Sequence, residues 1–183
     1  MNIIVAITGA SGAIYARQTL DLLIHNEEVT NIALVMSDHA QDVVEAEGVT
    51  LPEADKVQQF ANDDMWSSLA SGSARWDSMI VVPCSMGTVG RIAAGVSRTL
   101  IERAADVMLK ERRRLIFVVR ETPYSLIHLR NMTTLTEAGA VILPATPSFY
   151  SHPSDIESLC QTVTERVEAL LGLDGVRYEW GER

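Results

Sequence analysis

The sequence predicts an α/β protein built on a parallel, doubly wound sheet with helices on both faces. Three observations carry that expectation. Apolar runs alternate with segments of helical periodicity along the chain. The runs are continuously apolar, as in strands buried on both faces. Polar motifs collect directly after the runs, where such sheets place their ligands. Together they describe a three-layer α/β/α arrangement of the Rossmann/flavodoxin-like kind, as one domain over residues 1–183.

The first strand spans residues 2–8 and ends in Thr8-Gly9-Ala10-Ser11-Gly12-Ala13. A glycine turn from strand to helix gathers backbone N–H groups at a helix N-terminus, which suits a phosphate. The same turn serves equally as a tight βα connection. Its spacing is neither the full G-x-G-x-x-G fingerprint nor a P-loop, because only Gly9 and Gly12 are present and no Gly-Lys-Ser/Thr follows. The next helix carries Ala13, Ala16, Leu20, Leu23 and Ile24 on one face. Asn31 to Met36 is the second strand, with Ser37 at its end, and a helix is expected over Ala40 to Glu47. Residues 48–77 show only a short helical pattern near Ala54 to Phe60.

Met79-Ile80-Val81-Val82-Pro83 is a buried strand that runs into Cys84-Ser85-Met86-Gly87-Thr88. The following helix stops at Gly95, and Thr99 with Glu102 forms a capping box for the next. That helix carries Leu100, Ile101, Ala104, Val107 and Met108 as its apolar stripe. Leu115 to Val119 is a further strand, ending at Arg120-Glu121-Thr122-Pro123. Ser125 to Ala138 reads as a helix closed by Gly139, and Val141-Ile142-Leu143 as a short strand. Ser154 with Glu157 is expected to open the last helix, striped by Ile156, Leu159, Val163, Val167, Leu170 and Leu171.

Composition narrows the partners. The net charge of −9 opposes nucleic-acid binding, and 5% aromatic residues offer no stacking surface for single strands. No apolar run reaches the length of a membrane span and the N-terminus lacks a charged n-region, so neither membrane insertion nor a signal peptide is expected. Two cysteines, Cys84 and Cys160, are too few for a disulfide framework, which points to the cytoplasm. An acidic chain that binds an anion must gather its cations locally. No His pair has metal-ligand spacing, so no metal is predicted.

The residues themselves leave alternatives open. Ser85 and Thr88 could hold a phosphate or a polar ring edge; Ser85 could simply cap a helix. Cys84 could be a reactive thiol, but a Cys ending an apolar strand is more often a core residue. Arg103 and Lys110 share a helix face with Asp106, as a solvated ion-pair ladder or as a cationic face aimed at an anion, including one in a neighbouring subunit. Arg112-Arg113-Arg114 reads as an exposed basic helix end. Arg166 lies at the edge of the last apolar stripe, and Tyr150 in a proline-bounded loop. A Tyr and an Arg converging on one oxyanion would clamp a phosphate.

Taken in order, Gly9 to Ala13, Val35-Met36-Ser37, Pro83 to Thr88, Glu102 to Val107, Leu109 to Arg113, Arg120 to Pro123, Gly139 to Pro144 and Pro147 to Pro153 resemble the UbiX family of flavin prenyltransferases. The resemblance spans nearly the whole chain. It implies a transferase that attaches a dimethylallyl group from dimethylallyl monophosphate to reduced FMN, at N5 and C6. The product, prenylated FMN, would serve a UbiD-type decarboxylase. It further implies a metal-independent homo-oligomer, a dodecamer with active sites at subunit contacts.

By the same resemblance, Gly9, Ala10, Ser11, Ser37, Ser85, Met86, Gly87, Thr88 and Arg120 would bind FMN. Arg103, Lys110, Tyr150 and Arg166 would hold the prenyl phosphate. Ser11, Glu47, Lys110 and Glu121 would serve catalysis, Glu121 as acid/base near the flavin. Asp38-His39 departs from the family pattern by lacking a cation next to Ser37, and Trp66 matches no family position firmly. The competing readings are an FMN-dependent decarboxylase of the peptidyl-cysteine or phosphopantothenoylcysteine type and a flavin-binding accessory subunit. Pro83-Cys84-Ser85-Met86-Gly87-Thr88 lacks the Asn of the first, and a prenyl-phosphate clamp would have no purpose in the second.

Overall fold

The chain runs β1 (Asn2–Ile7), α1 (Ala13–His25), β2 (Asn31–Met36), α2 (Ala40–Ala46), β3 (Val57–Phe60), β4 (Ser78–Cys84), α3 (Met86–Ala93), α4 (Leu100–Lys110), β5 (Arg114–Val119), α5 (Leu126–Glu137), β6 (Val141–Pro144) and α6 (Ile156–Leu171), with one 3-10 turn at Ser68–Ala70. These elements are those of a computed structural model describing residues 1–175; the end of the expected domain, 176–183, lies outside the described residues. The strands form one sheet in the order β3-β2-β1-β4-β5-β6. Every neighbouring pair is parallel. This is the strand order of the Rossmann fold, and it agrees with the predicted class.

Strand alternation sorts the core into two layers. Ile3, Val5, Ile7, Ile80, Val82, Ile116 and Val118 point to the side covered by α1 and α6. Ile4, Ala6, Met79, Val81, Leu115, Phe117 and Val119 point to the side covered by α3, α4 and α5. Each strand therefore buries both faces, and a run with no polar alternation is what that requires. The predicted α4 stripe is fully used: Leu100, Ile101, Ala104, Val107 and Met108 are all buried. The Thr99–Glu102 capping box forms as expected.

Three local expectations are corrected. The segment from Ala54 to Phe60 is not helical, since Val57–Phe60 forms edge strand β3 against β2. The spacing of Ala54, Val57 and Phe60 imitates a helix, but the open edge of β2 supplies ladder partners that outweigh so short a pattern. The cap of α6 is Asp155, in a capping box with Ser158, not Ser154 with Glu157. Its buried face is Cys160, Val163, Thr164, Val167, Glu168 and Leu171, and Ile156 is exposed. Of the three arginines after α4, Arg112 and Arg114 are exposed as expected, but Arg113 is half-buried, and two of the three bond to backbone carbonyls. Arg113 donates to the carbonyls of Ala74 and Gly72, and Arg114 to that of Leu170.

The sheet reverses its order of growth between β1 and β4, and there the chains leaving the two strands diverge. Thr8 ties the two strand ends together. Its hydroxyl donates to the Pro83 carbonyl at 2.8 Å and accepts the Ser85 N–H at 2.8 Å. With Thr8 only 1% exposed, this pair of bonds fixes the rim of the crevice.

Candidate functional site at the carboxyl ends of the strands

Two polar clusters occupy this rim. The first is the β1–α1 turn. Gly12 caps α1 at φ 112, a left-handed conformation that favours glycine. A Cβ on Gly12 would meet the Tyr15 ring at 2.8 Å, so the position excludes side chains on two counts. The helix N-terminus that this turn creates is already filled. Glu47, just after α2, accepts the Gly12 N–H at 2.9 Å and the Ala13 N–H at 2.7 Å. The Ser11 hydroxyl also bonds to it, and the Arg120 guanidinium is close enough to bias it electrostatically. Burial pushes the Glu47 carboxyl up, but these donors and the Arg120 charge together hold it below its ordinary value. The phosphate cradle suggested by the sequence is thus occupied by the protein's own carboxylate.

The same cluster includes Tyr15. Burial and a hydrogen bond with Cys160 push its phenol up to about 12, against the opposing charge of Arg120. Tyr15 is therefore neutral and packs beneath the turn. Ser11, Glu47 and Arg120, which the sequence nominates from three distant segments, come together here. Arg120 is positioned by its N–H, which donates to the Cys84 carbonyl at 3.1 Å.

The second cluster surrounds a cavity of about 400 Å³, within the usual ~300–1,000 Å³ range of small-molecule sites. Gly9, Ser37, Ser85 and Thr88 line it, and all four are predicted flavin contacts. Gly9 allows a close approach: a Cβ there would lie 3.0 Å from the His39 Cβ. Ser85 caps α3, its Oγ accepting the Thr88 N–H at 3.3 Å and pairing with the Thr88 hydroxyl at 3.0 Å. Ala10 and Met86 are buried, and Met86 packs in the core, so their side chains do not line this cavity. Cys84 is also buried, and burial pushes its thiol up, as for a core residue.

A larger cavity of about 710 Å³ lies beside α2 and β3. It includes Glu53 and Asp55 and no Lys, Arg or His, so it is unsuited to an anion. The strand-end cavity instead contains Arg91 and Arg98, which sequence reasoning missed. Among the described residues, no three His, Cys, Asp or Glu side chains gather as a metal site. Also among them, no helix is long and apolar enough to cross a membrane.

The remaining nominated residues fall into two places. Ser148 donates its N–H to Thr162 Oγ1 at 3.0 Å, which pins the loop carrying Tyr150 to α6. Arg166 is one helical turn further along that helix, so Tyr150 and Arg166 share a region and both are exposed. Glu121 is exposed just past β5. Arg103 and Lys110 do not line the strand-end cavity. Arg103 bonds to Asp106 at 2.5 Å and to the Ala70 carbonyl, while Lys110 pairs with Glu111. Lys110 ends α4 at the amino-terminal edge of the sheet, where β5 begins.

The flavoprotein family's sequence model matches residues 1–168. The flavin prenyltransferase UbiX of Methanocaldococcus jannaschii is 43% identical, over 99% of this chain and 99% of that protein. The crystal structure of AnUbiX in complex with FMN and dimethylallyl pyrophosphate superposes with a TM-score of 0.89, at 43% identity, covering 99% of this chain and 98% of that one. A dodecameric FMN-dependent UbiX-like decarboxylase from Escherichia coli gives a TM-score of 0.90 at 38% identity, covering 98% of this chain and all of that one.

Proposed function

The chain belongs to the flavoprotein family and, within it, to the UbiX-type flavin prenyltransferases, and we propose that it transfers the dimethylallyl group of dimethylallyl monophosphate to reduced FMN. The observation that carries this reading is the strand-end cavity, which brings Gly9, Ser37, Ser85 and Thr88 together from three segments of the chain. FMN is here a substrate, released as prenylated FMN.

The transfer breaks an allylic C–O bond and forms a C–N bond at flavin N5, whose proton leaves with the phosphate; closure then forms the C6–carbon bond as the prenyl double bond gains a proton and C6 loses its own. The task of the protein is to hold both substrates in line and to stabilise the departing phosphate. Tyr150 and Arg166 supply donors for that phosphate from one stretch of surface. Arg103 and Lys110 lie away from the chain's own cavity, so their part in the clamp requires a neighbouring subunit. The dodecameric relative supports such an assembly for this chain. Ser11, which bonds to Glu47 beside Arg120, is assigned the role of orienting the reacting flavin. Glu121 follows Arg120 directly and would accept the proton lost on ring closure. A UbiD-type decarboxylase is the expected recipient of the product, and the cytoplasm the expected compartment.

The test is anaerobic incubation with photoreduced FMN and dimethylallyl monophosphate, following inorganic phosphate. One phosphate released per flavin consumed supports the transfer. Stable monophosphate in the presence of bound FMN would count against it.

A further inference from the structure

Within the strand-end cavity, one ion pair has no part in the reading above. Arg91, on the second turn of α3, donates through Nε to Glu102 Oε1 at 2.5 Å and through Nη2 to Thr88 Oγ1 at 3.2 Å. Glu102 is 2% exposed, and its second oxygen accepts the N–H groups of Arg98 at 2.8 Å and Thr99 at 3.1 Å. Burial pushes the Glu102 carboxyl up, but the Arg91 bond and the two backbone donors outweigh it and keep the group ionised. The carboxylate is therefore a fixed anchor, satisfied on both oxygens.

The guanidinium it anchors is half exposed and faces the cavity. Nη1 makes no hydrogen bond among the described residues. It lies 3.3 Å from where a Cβ on Gly87 would be, so the glycine leaves space for Arg91 across the first turn of α3. The fork is thus pre-oriented, with donors free beside the Ser85 and Thr88 hydroxyls. Arg98 adds a second cation to the lining. At the same rim stand the exposed Asp38 and His39, the latter within 3.5 Å of Asp42. The alternative anion site, the N-terminus of α1, is closed by the negative charge of Glu47.

We propose that Arg91, anchored by Glu102, is the residue through which this chain recognises the phosphate end of FMN. The inference rests on the flavin reading above and adds a specificity-determining residue to it. A charge-assisted, fork-shaped donor set distinguishes a phosphate monoester from a neutral hydroxyl. Arg91 therefore sets preference for FMN over riboflavin, with little influence on the isoalloxazine.

The test is to titrate apo-protein with FMN and with riboflavin by flavin fluorescence, with circular dichroism to establish folding. Arg91→Ala is compared with the double variant Arg91→Ala/Glu102→Gln, which strands no buried charge. In either folded variant the FMN Kd should rise about 10- to 100-fold, the effect of losing a charge-assisted bond, while riboflavin binding stays within about threefold. An unchanged FMN Kd, or equal weakening of both ligands, overturns the proposal. A wild-type protein that binds neither ligand overturns the flavin reading itself, a result distinct from a failure of Arg91 alone.

Discussion

Replacing Glu47 with Gln removes one negative charge from the N-terminus of α1 and leaves the side chain's size almost unchanged. Glu47 receives the Gly12 N–H at 2.9 and 3.1 Å through its two oxygens and the Ala13 N–H at 2.7 Å. A carboxylate at a helix N-terminus contributes ~0.3–1 kcal/mol when exposed and up to ~2 kcal/mol when partly buried. Glu47 is solvent-exposed, so screening keeps the value near ~1 kcal/mol. In a chain of this size that is about 2–4 °C in Tm. The folded-state pKa of Glu47 is lowered, so its contribution is full above the unfolded value of about 4.3 and is lost as pH falls through the folded value. Urea unfolding of wild type and Glu47→Gln, from pH 7 downward, measures this directly. The stability gap should be ~1 kcal/mol at pH 7 and close in acid. Equal stabilities at pH 7, or a gap that widens as pH falls, would refute the reading of Glu47 as the charge that stabilises the N-terminus of α1.

Two further predictions concern the turn and the clamp. Gly12→Ala should destabilise the fold by about 1–3 kcal/mol in chemical unfolding, because alanine is strained at φ 112 and its Cβ would approach the Tyr15 ring to 2.8 Å. A wild-type midpoint would show that the turn relaxes. Tyr150→Phe and Arg166→Ala should each slow turnover by about 10- to 100-fold through loss of a donor to phosphate, with FMN affinity nearly unchanged. Parallel losses of FMN affinity would place these residues at the flavin instead.

The sheet was legible because its strands are buried on both faces, and local pattern suffices for that. Ile3 to Ile7 and Met79 to Val82 could fit no amphipathic helix, and Thr99 with Glu102 declared its own cap. The weak points were those where neighbours decide. Val57-Gln58-Gln59-Phe60 is a strand because β2 presents an open edge, a fact absent from those four residues. In α6 the stripe of Val163, Val167 and Leu171 is buried as its spacing predicts, but Ile156 in the first turn lies beyond the surface that the helix covers and is exposed. The site divides in the same way. Ser37, Ser85 and Thr88 were legible because strand ends are where ligands sit. Arg91 was not, because its partner Glu102 lies 11 residues on, beyond the break at Gly95, and the capping box already accounted for that glutamate. The contact between Glu47 and the turn 35 residues earlier is set by packing, and no local spacing announces it.

The most direct measurement of the central claim is mass spectrometry of the flavin released after one anaerobic turnover with reduced FMN and dimethylallyl monophosphate. The expected product is FMN heavier by one five-carbon prenyl unit, with the phosphate monoester intact. Recovery of FMN at its original mass, from protein shown to have bound both substrates, would contradict it.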